Sequence, residues 1–372
     1  MTPLKNNSFF YLVLITLFGA IARIWYFWSD GLHVDEKFTL DLVQNSTAYI
    51  VQYSLNNDCN PPLFYLIDGF SVWTFGATRF AERFPSIVFG ILLIPTVYYL
   101  GRELKGDTLG LLSALAVATL GPMWYYSQFG RSYMLQCLLF AVFCIFYLRL
   151  VRERELLIRI SKNWGMVVGI AVLLAYTHLY TIIPITFLFL YLIYLYRLPS
   201  VKWMVATFLL ASPLLLLFND ILKERAVPRA VAATAWDWYG ATVPQMVIFA
   251  PLEYFGYSFV FWIPMIVYAT RIYRKMREVI VLELSFILSF CLMMSLADTT
   301  PIYIRYLLLF VPVLVTIGLL PIAEFIDNPE ATRAQKWFVL GSFGFFYFSI
   351  LVFQFWSGLY MPKGLYFNYP PL

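Results

Sequence analysis

The stretch GLHVDEKFTLD (31–41) puts His33, Asp35 and Glu36 within four residues of one another. An imidazole and two carboxyl groups that close suit acid–base chemistry, in which a carboxylate takes the proton of an attacking hydroxyl. Arg83, Arg131 and Arg305 each stand beside apolar sequence. A guanidinium stays charged and can grip a phosphate through two parallel N–H donors, so these three suit a phosphate-bearing ligand. Each has a structural alternative in snorkelling or in pairing with an acid, such as Glu82 for Arg83 or Asp298 for Arg305. Other polar landmarks could line a groove around them. They are Asp58, Asn60 and Tyr65 in NNDCNPPLFYL (56–66), Tyr126 and Gln128 in YYSQFGR (125–131), His178 in THLY (177–180) and Tyr303 in DTTPIYIRY (298–306). For His178, a satisfied helix-end histidine is the simpler reading.

The chain around these residues is 61% hydrophobic, 20% aromatic and 13% charged over 372 residues, which excludes a soluble domain. Runs of about 20 apolar residues are what a hydrocarbon core of roughly 30 Å requires. Eleven windows qualify: 9–28, 80–102, 107–124, 131–150, 163–178, 181–197, 200–218, 256–272, 279–296, 303–323 and 337–356. The expected fold class is an all-α polytopic membrane protein of about eleven transmembrane helices, one domain over 1–372 with no sizeable soluble C-terminal part. The first apolar run has no small-residue cleavage site behind it and is expected to stay as a helix. Cys59, Cys137, Cys144 and Cys291 have neither disulfide nor metal-ligand spacing and read as apolar filling. Membrane lipid, not nucleic acid, is the expected environment.

In PPLFYLIDGFSVWTFG (61–76), Leu63, Leu66, Ile67, Phe70 and Trp73 recur at helical spacing, but the segment is short and carries Asp68. If it does not span, the turns 102–107, 149–162, 196–202, 271–278 and 327–336 share the side of the N-terminus, which then holds most of the 26 lysines and arginines. Residues 61–76 therefore read as an interfacial helix, the N-terminus as cytoplasmic and the C-terminus as extracytoplasmic. Two long loops, 29–79 and 219–255, fall on the outer face. With them go the acids Asp30, Asp35, Glu36, Asp41, Asp58, Asp68 and Glu82, together with the Asn45-Ser46-Thr47 sequon. Trp236, Trp238 and Tyr239 in the second loop could stack on a sugar. A lipid-phosphate-linked group could then enter from the bilayer, with a carboxylate as base and arginines steadying the leaving phosphate. A non-catalytic flippase of lipid-linked sugars is the competing class. It would need charge deep inside several spans, where the sequence offers only Glu283, close to an inner end.

The same residues resemble a known family. Asp35-Glu36 after the first span is similar to the Asp-Glu motif of GT-C-fold glycosyltransferases, the protein O-mannosyltransferase and aminoarabinose transferase superfamily. Asn60-Pro61-Pro62-Leu63-Phe64-Tyr65 resembles its Pro-Pro-Leu-Tyr-Tyr segment, residues 83–131 its second and third spans, and PIYIRYLLLFVP (301–312) its late Arg-Tyr-Leu-Leu segment. The resemblance implies transfer of a sugar from a polyprenyl-phosphate donor to an acceptor protein, lipid or glycan on the extracytoplasmic face. It implies Asp35 as base and Glu36 as a supporting or acceptor-positioning group. Two positions depart from the pattern: Asn60 stands where many relatives carry Lys or His, and Phe129 where they often carry an acid. These departures keep open an accessory subunit without catalysis. No cofactor is implied; a divalent metal is possible through His33 and Asp35, although a complete ligand set is not evident.

Overall fold

The computed structural model describes residues 6–25, 31–57, 60–152, 162–221, 250–252, 254–296 and 304–356. Asp58 and Tyr303 of the expected groove, Asp298, and the aromatic residues Trp236, Trp238 and Tyr239 lie outside the described residues.

The first half comprises α1 (Asn6–Trp25), three short helices α2 (Val34–Val43), α3 (Thr47–Asn57) and α4 (Pro62–Phe75), then α5 (Arg79–Leu104), α6 (Asp107–Thr119), α7 (Gly121–Ser127) and α8 (Tyr133–Arg152). The second half comprises α9 (Lys162–Thr177), α10 (Ile182–Tyr196), α11 (Leu198–Ile221), α12 (Phe259–Ile272), α13 (Arg277–Leu296), α14 (Val311–Gly318), α15 (Leu320–Asp327) and α16 (Arg333–Trp356). Helical turns of 3₁₀ type at Leu179–Thr181 and Ile304–Phe310 lead into α10 and α14. Helix lies in each of the eleven expected windows over their described residues. Among the described residues, six spans are long and apolar enough by length and composition to cross a membrane, or seven if the bent pair α6–α7 is one span. The expectation of an all-helical membrane protein holds, while the count of eleven goes beyond what those criteria support.

Helix α4 is not among the span-length helices. It lays Phe64, Tyr65, Asp68, Ser71 and Val72 inward and leaves Phe70 and Trp73 out. A second, smaller core of Leu42, Val43, Ile50, Phe64, Tyr65, Val72, Ala81 and Leu135 fastens α2, α3 and α4 onto α5 and α8.

Apolar burial alone holds helices together weakly in lipid, whose tails are as apolar as leucine, so close contact and polar ties decide the packing. One such tie is Arg23, in the last turn of α1 and fully buried. It sits where α6 and α7 bend by 61°. Pro122 lacks an N–H and interrupts the helical ladder there, so carbonyls near the end of α6 need other donors. Arg23 Nη2 donates to Val117 O at 3.1 Å, Nη1 to Ala118 O at 3.3 Å and Gly19 O at 3.0 Å, and Nε to Ser127 Oγ at 3.1 Å. Trp124 Nε1 also donates to Ala118 O. Gly90 makes room: a Cβ there would meet Ser127 Oγ at 2.1 Å and Arg23 Nε at 3.2 Å. The sequence reading passed over Arg23, although a cation at that end of the first span runs against the positive-inside trend.

At the opposite end of the bundle, ion pairs join the turns. Arg149 Nη2 and Glu103 Oε2 stand 2.9 Å apart, Arg152 Nε and Glu278 Oε1 3.2 Å, and Lys105 Nζ and Glu324 Oε2 2.8 Å. Tyr273 donates to the same Glu324 carboxylate.

Arg23→Met removes the donors at the bend and leaves buried carbonyls unsatisfied, at roughly 1–3 kcal/mol each. Thermal unfolding of the full chain in detergent is expected to shift down by several degrees, whereas Arg271→Met on an exposed site leaves it within error.

Candidate active site

The site forms where the start of α2, the start of α5, the α7–α8 turn and the 3₁₀ turn at Ile304–Phe310 meet. Helix α2 opens with a capping box. His33 Nδ1 accepts from Asp35 N at 3.2 Å, and Glu36 Oε2 accepts from His33 N at 2.8 Å. Two of the orphan amides at the helix start are thereby satisfied. The consecutive acids consequently face different surroundings.

Glu36 is turned inward and fully buried. Arg83 grips it through two parallel bonds, Nε to Oε1 and Nη2 to Oε2, both 2.8 Å, and Gly130 N donates to Oε1 at 3.0 Å. Arg83 Nη2 also reaches Gly31 O at 3.2 Å. Gly130 cannot be replaced without movement, because a Cβ there would lie 1.9 Å from Glu82 Oε1. Arg83, expected at a phosphate, places its fork on Glu36 and is only 6% exposed; the acid it pairs with is Glu36, not Glu82. Glu36, expected to support the base or position an acceptor, is itself enclosed.

Asp35 points the other way, with 31% of its side chain exposed. Arg305 Nη2 stands 3.5 Å from Asp35 Oδ2, and the Arg305 guanidinium lies 5.7 Å from the centre of the Tyr133 ring. Arg131 Nη1 donates to Thr39 Oγ1 at 2.9 Å, approaches Tyr65 Oη at 3.4 Å and reaches the Asp35 carbonyl at 3.5 Å. Burial pushes the Asp35 carboxyl up, but the Arg131 and Arg305 guanidiniums outweigh it and hold the group below its ordinary value of 3.8. Asp35 is therefore ionised at neutral pH. His33 goes below 6.5, chiefly through burial, with Arg305 and Arg131 adding and Asp35 opposing. Its Nδ1 lies 3.8 Å from Asp35 Oδ2, a separation suited to an ion pair. The amide bond into Nδ1 and the lowered pKa both favour neutral imidazole, so the contact is not ionic at neutral pH. The His33 ring also packs on Phe129, with centroids 5.4 Å apart.

The other expected groove residues divide. Tyr65 is buried with its hydroxyl toward Arg131. His178 caps the following turn by accepting from Tyr180 N at 3.3 Å and packs on Tyr306 at 4.4 Å, as a helix-end histidine should. The Asn60 carbonyl accepts from Ser54 Oγ at 2.5 Å. Gln128 Nε2 donates to the Arg23 carbonyl at 2.7 Å and ties α1 to the site. Tyr126 is fully buried, edge-on to Tyr133 at 5.0 Å, and belongs to the core, not the groove. Thr39, Gly130, Tyr133 and Tyr306 were missed. Thr39 alone left a signal: it follows Asp35 by four residues and so shares its helix face. Among the described residues no three His, Cys, Asp or Glu side chains converge to hold a metal ion.

Asp68 and Glu82, expected among the acids of the outer face, are both fully buried. Their carboxyl oxygens make no hydrogen bond among the described residues. Burial pushes the Asp68 carboxyl up to about 8, the Glu36 charge adding and Arg131 opposing. Asp68 is a neutral acid at pH 7, which is how a buried carboxyl avoids carrying an unsolvated charge.

Two stability predictions follow from these groups. Glu36→Ala strands the Arg83 charge, which for a buried pair costs about 3–5 kcal/mol. Thermal unfolding should drop sharply for Glu36→Ala and recover in part in Glu36→Ala/Arg83→Met. For Asp68, folding takes up a proton between its unfolded and folded pKa, so stability falls as pH rises from about 4 to about 8. Asp68→Asn should remove that slope, melting above wild type at about pH 8 and by a smaller margin at about pH 5.

Comparison with known proteins agrees with this architecture. Residues 59–219 match the protein family described as dolichyl-phosphate-mannose-protein mannosyltransferase. No curated protein sequence matches the chain significantly. Among solved structures, the chain is similar to the archaeal oligosaccharyltransferase AglB from Archaeoglobus fulgidus, determined with an inhibitory peptide and a dolichol-phosphate. The TM-score is 0.65 at 14% identity, over 94% of this chain and 55% of that one. It is also similar to ArnT from Cupriavidus metallidurans: TM-score 0.64 and 11% identity for the apo state, over 94% of this chain and 65% of that one. The undecaprenyl-phosphate-bound ArnT gives 0.62 at 12% identity, over 91% and 63%. This chain thus spans about half the length of the oligosaccharyltransferase and somewhat less than two thirds of ArnT. It shares the GT-C fold of these structures, and its residues 59–219 are similar to the mannosyltransferase family.

Proposed function

We propose that this chain transfers a sugar from a polyprenyl-phosphate donor to an acceptor hydroxyl at the extracytoplasmic membrane face, with Asp35 as general base. The observation that carries the reading is the division of labour between adjacent acids. Glu36 is locked in a buried pair with Arg83, while Asp35 is ionised, partly exposed and faced by Arg305 and Arg131. A carboxylate open to a hydroxyl and two cations able to receive a phosphate stand at one place. The relatives solved with dolichol-phosphate and undecaprenyl phosphate support a donor of that class.

In the reaction an Asp35 oxygen takes the acceptor hydroxyl proton as the hydroxyl oxygen bonds to the anomeric carbon. The bond from that carbon to the phosphate oxygen breaks, and its electron pair leaves with the polyprenyl phosphate. Arg305 and Arg131 would steady the charge gathering there, where fixed cations act most strongly. Arg305 also has a second effect. In the free protein it lowers the basicity of Asp35; a donor phosphate drawing Arg305 away would restore that basicity once substrate is in place. Arg83 has no part in this scheme beyond holding Glu36.

The test is sugar transfer by the purified full chain in lipid, with a panel of polyprenyl-phosphate sugars and acceptor membranes. Asp35→Asn should lower kcat by roughly a hundredfold or more with donor still bound, the range expected for loss of a general base. Equal transfer by Asp35→Asn and wild type would remove Asp35 from the mechanism. Donor binding without transfer by either, across acceptors, would favour an accessory or flippase role. Arg305→Gln should raise the KM for donor and lower kcat together. The acid limb of kcat/KM, which reports free protein, should fall below the ordinary carboxylate value, and the limb of kcat should lie higher. Coincident limbs would contradict the competition for Arg305.

A further inference from the structure

The tripeptide Asn-x-Ser/Thr, with x other than proline, occurs twice in the chain, at Asn6-Asn7-Ser8 and at Asn45-Ser46-Thr47. An amide with a hydroxyl two residues on is the acceptor pattern for N-linked glycans. Three residues recur by chance, so their surroundings must discriminate. The first match lies in α1, where Ser8 is buried and its Oγ donates to Asp107 Oδ2 at 3.3 Å. Asp107 opens α6, at the far end of the bundle from Asp35.

The second match is the link between α2 and α3, at the Asp35 end. Every residue from Gln44 to Tyr49 is exposed, while Leu42, Val43 and Ile50 on either side are buried in the smaller core. The link therefore stands out between two anchored helices, and opening it locally uncovers no buried side chain. Thr47, which supplies the hydroxyl of the pattern, is among the exposed residues. The Asn45 amide also has an N–H to spare. Its Nδ2 donates to Asp41 O and to Leu42 O, both at 3.0 Å, and Leu42 O already accepts from Asn45 N at 3.2 Å. A glycosylated amide keeps one N–H, which is enough for Asp41 O. Both carbonyls at the end of α2 then stay satisfied.

We propose that Asn45 is an N-glycosylation site, its Nδ2 carrying a glycan delivered from a polyprenyl-phosphate-linked donor by a separate glycosyltransferase. In that transfer Nδ2 gives up one proton to the enzyme's base and bonds to the anomeric carbon of the glycan. The bond from that carbon to the phosphate oxygen breaks, and its electron pair leaves with the lipid phosphate. The proposal needs the Asp35 end to face away from the cytoplasm, but it does not depend on what Asp35 does.

The test is site-resolved mass spectrometry of the full chain purified from its native membranes, with cleavage at Lys37 and Arg79 isolating the segment that holds Asn45. Fragment ions should place a sugar on Asn45 and none on Asn6. Thr47→Ala removes the hydroxyl of the pattern and leaves the Asn45 bonds in place, so occupancy should be lost. Thr47→Ser should restore it, and thermal unfolding checks the fold of both variants. Asp35→Asn should carry the same sugar, because another enzyme adds it; a bare Asn45 in that variant would overturn the separate enzyme. Bare asparagines at both positions of wild type would overturn the site and leave the sugar-transfer reading to its own assay. A sugar on Asn6 with Asn45 bare would reverse the bundle in the membrane, overturning both this site and the extracytoplasmic placement of Asp35. A sugar that persists in Thr47→Ala would show a modification that ignores the tripeptide, and would overturn the site as well.

Discussion

The buried pair between Glu36 and Arg83 is the constraint on which the rest of the site depends. Desolvating two charges is expensive, and the cost is met only where the geometry is bidentate and the remaining lone pairs are filled. Here His33 N and Gly130 N fill them. One carboxylate thus joins the cap of α2, the first turns of α5 and the α7–α8 turn. Two of the groups that face Asp35 are registered against that junction. Arg131 follows Gly130 directly, and Thr39 lies one turn along α2 from Asp35. A pair of this kind is weak evidence for net stability but strong evidence for a defined arrangement, since few other packings could satisfy the same charges.

The acids behind it show the same physics with the opposite outcome. Glu36 is met by a guanidinium locked to it in a bidentate pair. Asp68, close by and with no such partner among the described residues, stays neutral at pH 7, its pKa raised chiefly by burial and then by Glu36. Three carboxyl groups can be packed together in the same interior only on these terms. Asp35 avoids the choice by remaining partly in solvent, with two cations at hand.

Arg23 extends this logic into the bundle. A helix that bends at Gly121-Pro122 leaves carbonyls without amide partners, and no water is available within the packed spans to serve them. The guanidinium at the end of α1 supplies donors to two of those carbonyls and to Ser127, and Gln128 returns a bond to the Arg23 backbone. The bend delivers Gly130 and Arg131 to the site, so α1 supports the site without lining it. The ion pairs at the other end of the bundle close its turns and leave the Asp35 end free of that duty.

The sequence by itself determined the class of fold. Apolar windows set the helices, and the short, acid-bearing segment 61–76 identified itself as unlike the spans. His33-Val34-Asp35-Glu36 was legible as a candidate cluster because its members are neighbours in the chain. Tertiary structure alone decided what each acid and arginine does. Adjacent residues at a helix start diverge by about 100° around the axis, so Asp35 and Glu36 fall on different sides, and only the packed neighbours decide which side is buried. Arg83 and Arg305 have the same chemistry in sequence, yet one is spent inside and the other meets Asp35, because that choice depends on which elements pack together. Tyr126, Asp68 and Glu82 went inward for the same reason: hydropathy scores a residue by its type, whereas burial is a property of the face on which the packed helices place it.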